Sequence, residues 1–170
     1  SDVCSSALYA LVERDTDPSG STGVDVIAQE GGDCHGAHGW KHNPVTDHWY
    51  KRTRLALTRE DAAEVAANWC GYLVEIGNAD ENQWIVNHSG LMTDVYMAWI
   101  GLNDVETEGT FVWDSGAPLS YTHWGSNEPT NYRGEEDYAT ITGPDSRRPL
   151  GSWTDYDGYG PWYAIVERDT

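Results

Sequence analysis

Phenylalanine is nearly missing from this 170-residue chain: Phe111 stands alone against nine tryptophans and ten tyrosines. The aromatic content is therefore mostly of the kind with an apolar face and a polar tip, which serves cores and polar-ligand surfaces equally well. Positive charge is scarce too, with ten Lys and Arg against 28 Asp and Glu and a formal net charge of -18. Long-range repulsion from such a chain argues against nucleic acid or an anionic membrane as partner. No apolar run approaches the ~20 residues needed to span a bilayer. The chain opens at Ser1 without a charged-then-apolar leader, as expected of a mature or excised domain. Three cysteines (Cys4, Cys34 and Cys70) permit one disulfide and leave one thiol. A Cys4–Cys34 bridge would suit a secreted or extracellular protein, though spacing alone does not choose the pairing. No Ser-His-Asp or Cys-His constellation is legible, so a binding protein is expected and not an enzyme.

The length fits one domain with a small appendage and is enough to bury a real core. Residues 1–43 have the texture of that appendage. Stretches 15–23 and 31–36 are turn sequence rich in Gly, Ser and Asp, and residues 8–13 and 24–29 read as short strands between them. Asp15-x-Asp17-x-Ser19-Gly20 resembles the start of an EF-hand loop, but Val26 stands where that loop needs a bidentate Glu. Residues 9–16 return at 163–170 with only Leu11 and Ile165 differing. Seven matches in eight exceed what strand propensity demands and suggest a parent protein with tandem copies. Cys34, His35, His38, His42 and His48 are a metal-ligand mixture, but their spacing matches no closed zinc pattern.

From Asp47 onward the pattern becomes regular. Residues 48–55 alternate as a strand should. Thr58-Arg-Glu-Asp61 is a capping box, and Ala62, Val65, Ala66 and Trp69 follow at helical spacing up to Gly71. Residues 72–76 read as a strand, and Asn78-Ala-Asp-Glu81 caps a second helix carrying Trp84 and Ile85. Residues 97–102, 110–113 and 162–167 complete the strands, which makes the class α+β. Between Trp99 and Asp155, carboxylates and short oxygen-bearing side chains recur among aromatics, in segments too rich in Gly, Pro and Asn for helices. Ca²⁺ takes six to eight such oxygens from flexible loops.

These residues, taken in order, resemble the C-type lectin-like domain from about Pro44 to Thr170, leaving 1–43 as an N-terminal extension. The matches include Ala62-x-x-x-Ala66, Gly71-Tyr-Leu73, Trp99-Ile-Gly-Leu102, Glu108-Gly109, Phe111-Val-Trp113, Glu128-Pro129, Glu136-Asp137 and Trp153-x-Asp155. The resemblance implies an α+β fold with two helices, small antiparallel sheets and a long calcium-binding loop region. It also implies departures. Ala66 and Val166 fall where the family has one cysteine pair, and Tyr138 and Gly158 where it has the other. Cys70 falls at a usual glycine, where a buried free thiol is expected.

Carried over residue by residue, the family's principal calcium set becomes Glu128, Thr130, Glu136, Thr154 and Asp155, with Pro129 in a cis bond. Both carboxamides have become threonines. A second set becomes Asp104, Glu108, Asn131, Glu136 and Asp137. The implied function is a calcium-dependent carbohydrate-binding module that recognises vicinal hydroxyls of a glycan. Trp124 and Tyr132 flank the first motif as stacking candidates, with Tyr156, Tyr159 and Trp162 beyond the second, while Trp99, Trp113 and Trp153 match core positions. Arg133, Arg147 and Arg148 are scarce positive charges suited to gripping carboxylate or sulfate, which suggests an acidic or sulfated polysaccharide. The alternative on the same fold is a protein- or surface-binding domain in which calcium is only structural.

Overall fold

The computed structural model describes residues 28–31, 34 and 38–169. The strand expected at 8–13, most of that expected at 24–29, Cys4 and the first copy of the repeated octapeptide lie outside the described residues. Where the second of those strands enters view, residues 28–30 are helical and not extended.

Both expected helices form on the caps that predicted them. Helix α1 (Arg59–Asn68) starts where Thr58 Oγ1 accepts the Asp61 N–H at 3.2 Å, satisfying a donor that a helix start leaves unpaired. Its Ala62, Val65 and Ala66 pack with Trp69, Leu73, Trp99, Ala164 and Val166 in one buried cluster. Helix α2 (Ala79–Asn87) is capped by Asn78, whose Oδ1 accepts the Glu81 N–H at 2.9 Å. It buries Ile85 in a second cluster built on Ile100, Leu102, Trp113, Ile141 and Trp153. Its polar Asn82 also turns inward, donating to Gly151 O (3.1 Å) and accepting from Trp153 Nε1 (2.9 Å), so the buried amide is satisfied.

Between the clusters lies one eight-stranded sheet. Its strands are β1 (Lys41–Asn43), β2 (His48–Arg52), β3 (Tyr72–Leu73), β4 (Met97–Asn103), β5 (Val112–Trp113), β6 (Tyr138–Thr142), β7 (Trp153–Tyr156) and β8 (Tyr163–Arg168). The order is β1-β2-β8-β4-β6-β7, with β3 on β8 and β5 on β4. The sheets expected to be small and antiparallel are joined by a parallel pairing of β4 with β8, Ala98 opposite Tyr163. β8 is formed by the first six residues of the octapeptide's second copy. Its apolar run Ala164-Ile165-Val166 is fully buried, as a strand covered on both faces requires. Strands β6 and β7 fall where the sequence suggested loop, because Trp153-Thr-Asp-Tyr156 is too short and too polar to signal a strand alone.

The disulfide corrects two expectations. Cys34 pairs with Cys70, Cα atoms 5.0 Å apart, and not with Cys4. Cys70 is accordingly neither a free thiol nor buried; it is exposed, with φ 55° just past α1. A disulfided Cys34 also withdraws from the histidine-rich set. His42 meets Asp47 at 2.9 Å, and His48 meets the buried Glu167 at 2.5 Å. The bridge holds the extension to α1, alongside Glu30, which accepts the Arg54 and Leu55 N–H groups at 3.0 and 2.6 Å. At the positions where the resemblance implied cysteine pairs, Ala66 and Val166 share the core, and the Tyr138 ring lies so close to Gly158 that a Cβ there would sit 2.9 Å from it.

Candidate functional site

Sheet topology gathers the acidic residues at one end. β4 ends at Asn103 opposite Tyr138, which in turn lies opposite Tyr156 at the end of β7. Asp104, Asp137 and Asp155 therefore share that end although the chain separates them widely. Segment 123–125 is fastened along β7 by Trp153 N–H to His123 O (2.7 Å) and Gly125 N–H to Trp153 O (2.8 Å). Gly125 lacks a Cβ where the Glu128 Cγ would lie 3.3 Å away, so Glu128 folds back over the strand.

The Glu128–Pro129 bond is cis, and the chain beyond it closes onto the carboxylates. Thr130 N–H donates to Asp155 Oδ1 at 2.9 Å, and Asn131 N–H to Asp155 Oδ2 at 2.6 Å. Thr130 Oγ1 and Tyr132 N–H both donate to Glu136 Oε2, at 2.9 and 2.6 Å. Asn131 and Arg133 take left-handed backbone at φ 43° and 63°, which winds 132–134 into a single 3₁₀ turn. Thr130 is thus the joint between Asp155 and Glu136, a role its hydroxyl performs without a carboxamide. Asp155 is 1 % exposed and spends both oxygens on the loop.

Glu128 differs. Its side chain is only 4 % exposed; Oε1 pairs with Arg148 Nη1, and Oε2 is buried with no partner. Asp104 is similar at the second set. It is 2 % exposed, its Oδ2 accepts the Gly109 N–H at 2.8 Å, and its Oδ1 is buried and unpartnered. Burial pushes the Asp104 carboxyl up to about 6; the Gly109 N–H opposes this, and the charges of Glu108 and Asp137 add to it.

Among the described residues, no three His, Cys, Asp or Glu side chains converge closely enough to hold a metal ion. The donors nevertheless fit a hard cation in kind: all are oxygens, and each expected set contains one buried carboxylate oxygen without a partner. What keeps the principal set apart is visible in the contacts, since Asp155 faces backbone amides and Glu128 faces a guanidinium.

The remaining expected residues are more dispersed. Thr154 is buried inside β7 at 1 % exposure. Trp124 is half-buried with its ring edge-on to Phe111 and Trp153, at 4.8 and 5.9 Å. Tyr132 is 63 % exposed, with the Arg133 guanidinium 5.1 Å from its ring centre. Arg147 and Tyr159 are exposed. Tyr96 was not legible as a site residue. Its ring stacks on Trp162 at 5.7 Å, and Tyr156 meets the same indole edge-on at 5.6 Å. The only signal for Tyr96 was an aromatic immediately before β4, in a chain full of aromatics.

The family model of the lectin C-type domain matches residues 56–165, and the chain belongs to that family. It is 26 % identical to perlucin of Haliotis laevigata over 137 residues, covering 77 % of this chain and 81 % of that protein. It is 32 % identical to human C-type mannose receptor 2 over 105 residues, which are 61 % of this chain and 7 % of the receptor. A shorter match of 68 residues, 39 % of this chain and 40 % of the other, is 37 % identical to the alpha-N-acetylgalactosamine-specific lectin of Patiria pectinifera. The carbohydrate-recognition domain of the human scavenger receptor C-type lectin superposes with a TM-score of 0.70 at 27 % identity, covering 79 % of this chain and 99 % of that one. The residues fold as an α+β C-type lectin domain, and some of its relatives are named as lectins. No described helix is long and apolar enough to cross a membrane.

Proposed function

We propose that this chain is a calcium-dependent carbohydrate-binding module working outside the cell, with the sugar face at the carboxylate end of the sheet. The observation that carries the reading is the buried, half-satisfied Glu128 beside a loop already folded around Glu136 and Asp155. Glu128, Glu136 and Asp155 supply the charge for the principal ion, and Thr130 and Thr154 supply neutral oxygen in place of the usual carboxamides. Asp104, Glu108, Asn131 and Asp137, with Glu136 shared, form the second site. When bound, calcium would offer coordination positions to two adjacent sugar hydroxyls. Two relatives carry a sugar in their names, mannose and N-acetylgalactosamine, which supports a glycan ligand. Tyr132, Arg133, Arg147 and Arg148 present ring faces and positive charge for an acidic or sulfated polysaccharide. Affinity for calcium is expected in the weak extracellular range of roughly 10⁻⁴–10⁻³ M, and acid should release the ion. We take the domain as 44–170 and 1–43 as an extension, whose described part joins it through β1, Glu30 and the Cys34–Cys70 bridge.

A glycan array with calcium and with chelator tests the reading. Binding to a defined glycan in calcium, lost in chelator and in Glu136→Gln, is the expected result; an array silent under both conditions refutes it. That outcome would favour a protein- or surface-binding domain, the reading supported by a Thr130 hydroxyl that already bridges the loop.

A further inference from the structure

Loop 143–151 leaves β6 and returns to β7 with its base held on both sides. Gly143 N–H donates to Tyr96 O (2.9 Å), and the hydroxyls of Thr142 and Ser152 both donate to Pro149 O (2.6 and 2.7 Å). Arg148 N–H donates to Ser146 Oγ at 3.1 Å, which sets the direction of its side chain. From this fixed base the guanidinium reaches Glu128, the first member of the calcium set.

The two partners are unequal. The Glu128 side chain is 4 % exposed and the Arg148 side chain 39 %. A carboxylate so nearly out of water needs a cation, because desolvation otherwise disfavours its charge. Arg148 can exchange its partner for water, since its side chain is already partly exposed and its long stem is flexible. Glu128 has no such option. A divalent ion on the same carboxylate would repel the guanidinium, so the two cations exclude one another.

We propose that Arg148 is the exchangeable counter-cation of the principal calcium site: it neutralises Glu128 when the metal is away, and calcium displaces it into solvent. The proposal rests on the calcium reading above and adds a regulation to it. Holding Glu128 neutralised keeps the loop folded without metal, and the competition lowers the apparent calcium affinity. Exchange also frees a guanidinium on an exposed loop, where an anionic group of a glycan can reach it.

The test is calorimetric titration of calcium into the wild type, Arg148→Gln and Arg148→Lys in 0.15 M salt. Arg148→Gln is expected to bind calcium at least ~10-fold more tightly, with Arg148→Lys between, since an ammonium keeps the charge and loses the planar fork. In chelator, Arg148→Gln should melt below the wild type, yet gain more from calcium. As an independent readout, phenylglyoxal should modify Arg148 faster in calcium than in chelator, followed by mass spectrometry of the peptide. Binding by Arg148→Gln where the wild type shows none supports the exchange in its strongest form. Equal calcium affinity in wild type and Arg148→Gln, or unchanged Arg148 modification, overturns the exchange and leaves the calcium reading standing. Failure of every variant to bind calcium overturns both.

Discussion

Replacing Asp155 by Asn asks how much of the loop is held by the protein itself. Asp155 is 1 % exposed, and its two oxygens accept the Thr130 and Asn131 N–H groups at 2.9 and 2.6 Å. Asparagine keeps one carbonyl oxygen, so one of these becomes a neutral hydrogen bond, weaker by about 1 kcal/mol. The other N–H then faces an amide NH₂, and a donor left unsatisfied in a buried place costs about 1–3 kcal/mol. The sum is about 2–4 kcal/mol. For a chain of this size that corresponds to a fall in Tm of roughly 4–16 °C. Losing one negative charge from a protein at -18 relieves some repulsion and works the other way, but 0.15 M salt screens that effect. Calorimetry in chelator measures the loss without any contribution from metal, and hydrogen exchange at residues 130 and 131 should accelerate with it. A Tm within about 2 °C of the wild type, with unchanged exchange at those amides, would refute the claim that Asp155 fastens the loop.

Two other changes test the buried carboxylate and the disulfide. Burial pushes the Asp104 carboxyl up to about 6, so between about pH 4 and 6 the folded protein holds a proton that the unfolded chain has released. Stability from this group is therefore full below about pH 4 and is lost as pH rises through about 6. Asp104→Asn should gain about 1–3 kcal/mol over the wild type at pH 7 in chelator and none at pH 3.5, by urea denaturation at each pH. An advantage independent of pH would contradict the assignment. Cys70→Ser opens a bridge between residues 36 apart and should cost about 4 kcal/mol by loss of loop constraint. The same loss should appear when the wild type is reduced, and reduction should leave the variant's own stability unchanged.

How much was legible depended on how far apart the informative residues lie. Thr58 with Asp61 and Asn78 with Glu81 announce helix starts within one turn, and both caps form as read. The alternation at 48–55, the apolar run of the last strand and the ordered lectin-type residues were equally local, and they sufficed for the α+β class and the family. The ladder of β6 with β7 was not local. Thr140 finds Thr154, and Ala139 finds Asp155, only once β6 is laid against β4 and offers its free edge to β7. The cysteines make the same point: three thiols allow several pairings, and Cys34 meets Cys70 because residues 28–31 dock against 54–55 and bring the extension to the end of α1.

By itself, then, the sequence determined the helices, the family and the inventory of oxygen ligands, because caps, periodicity and motif spacing are written within a few residues. Tertiary structure alone decided what those ligands do. It turned Asp155 toward backbone amides, made Thr130 the joint between two carboxylates, and set a half-exposed arginine from another loop against a buried Glu128. The physical reason is that a charge's partner depends on burial and on which loops the sheet brings together. Neither is encoded in the spacing of the residues that carry the charge.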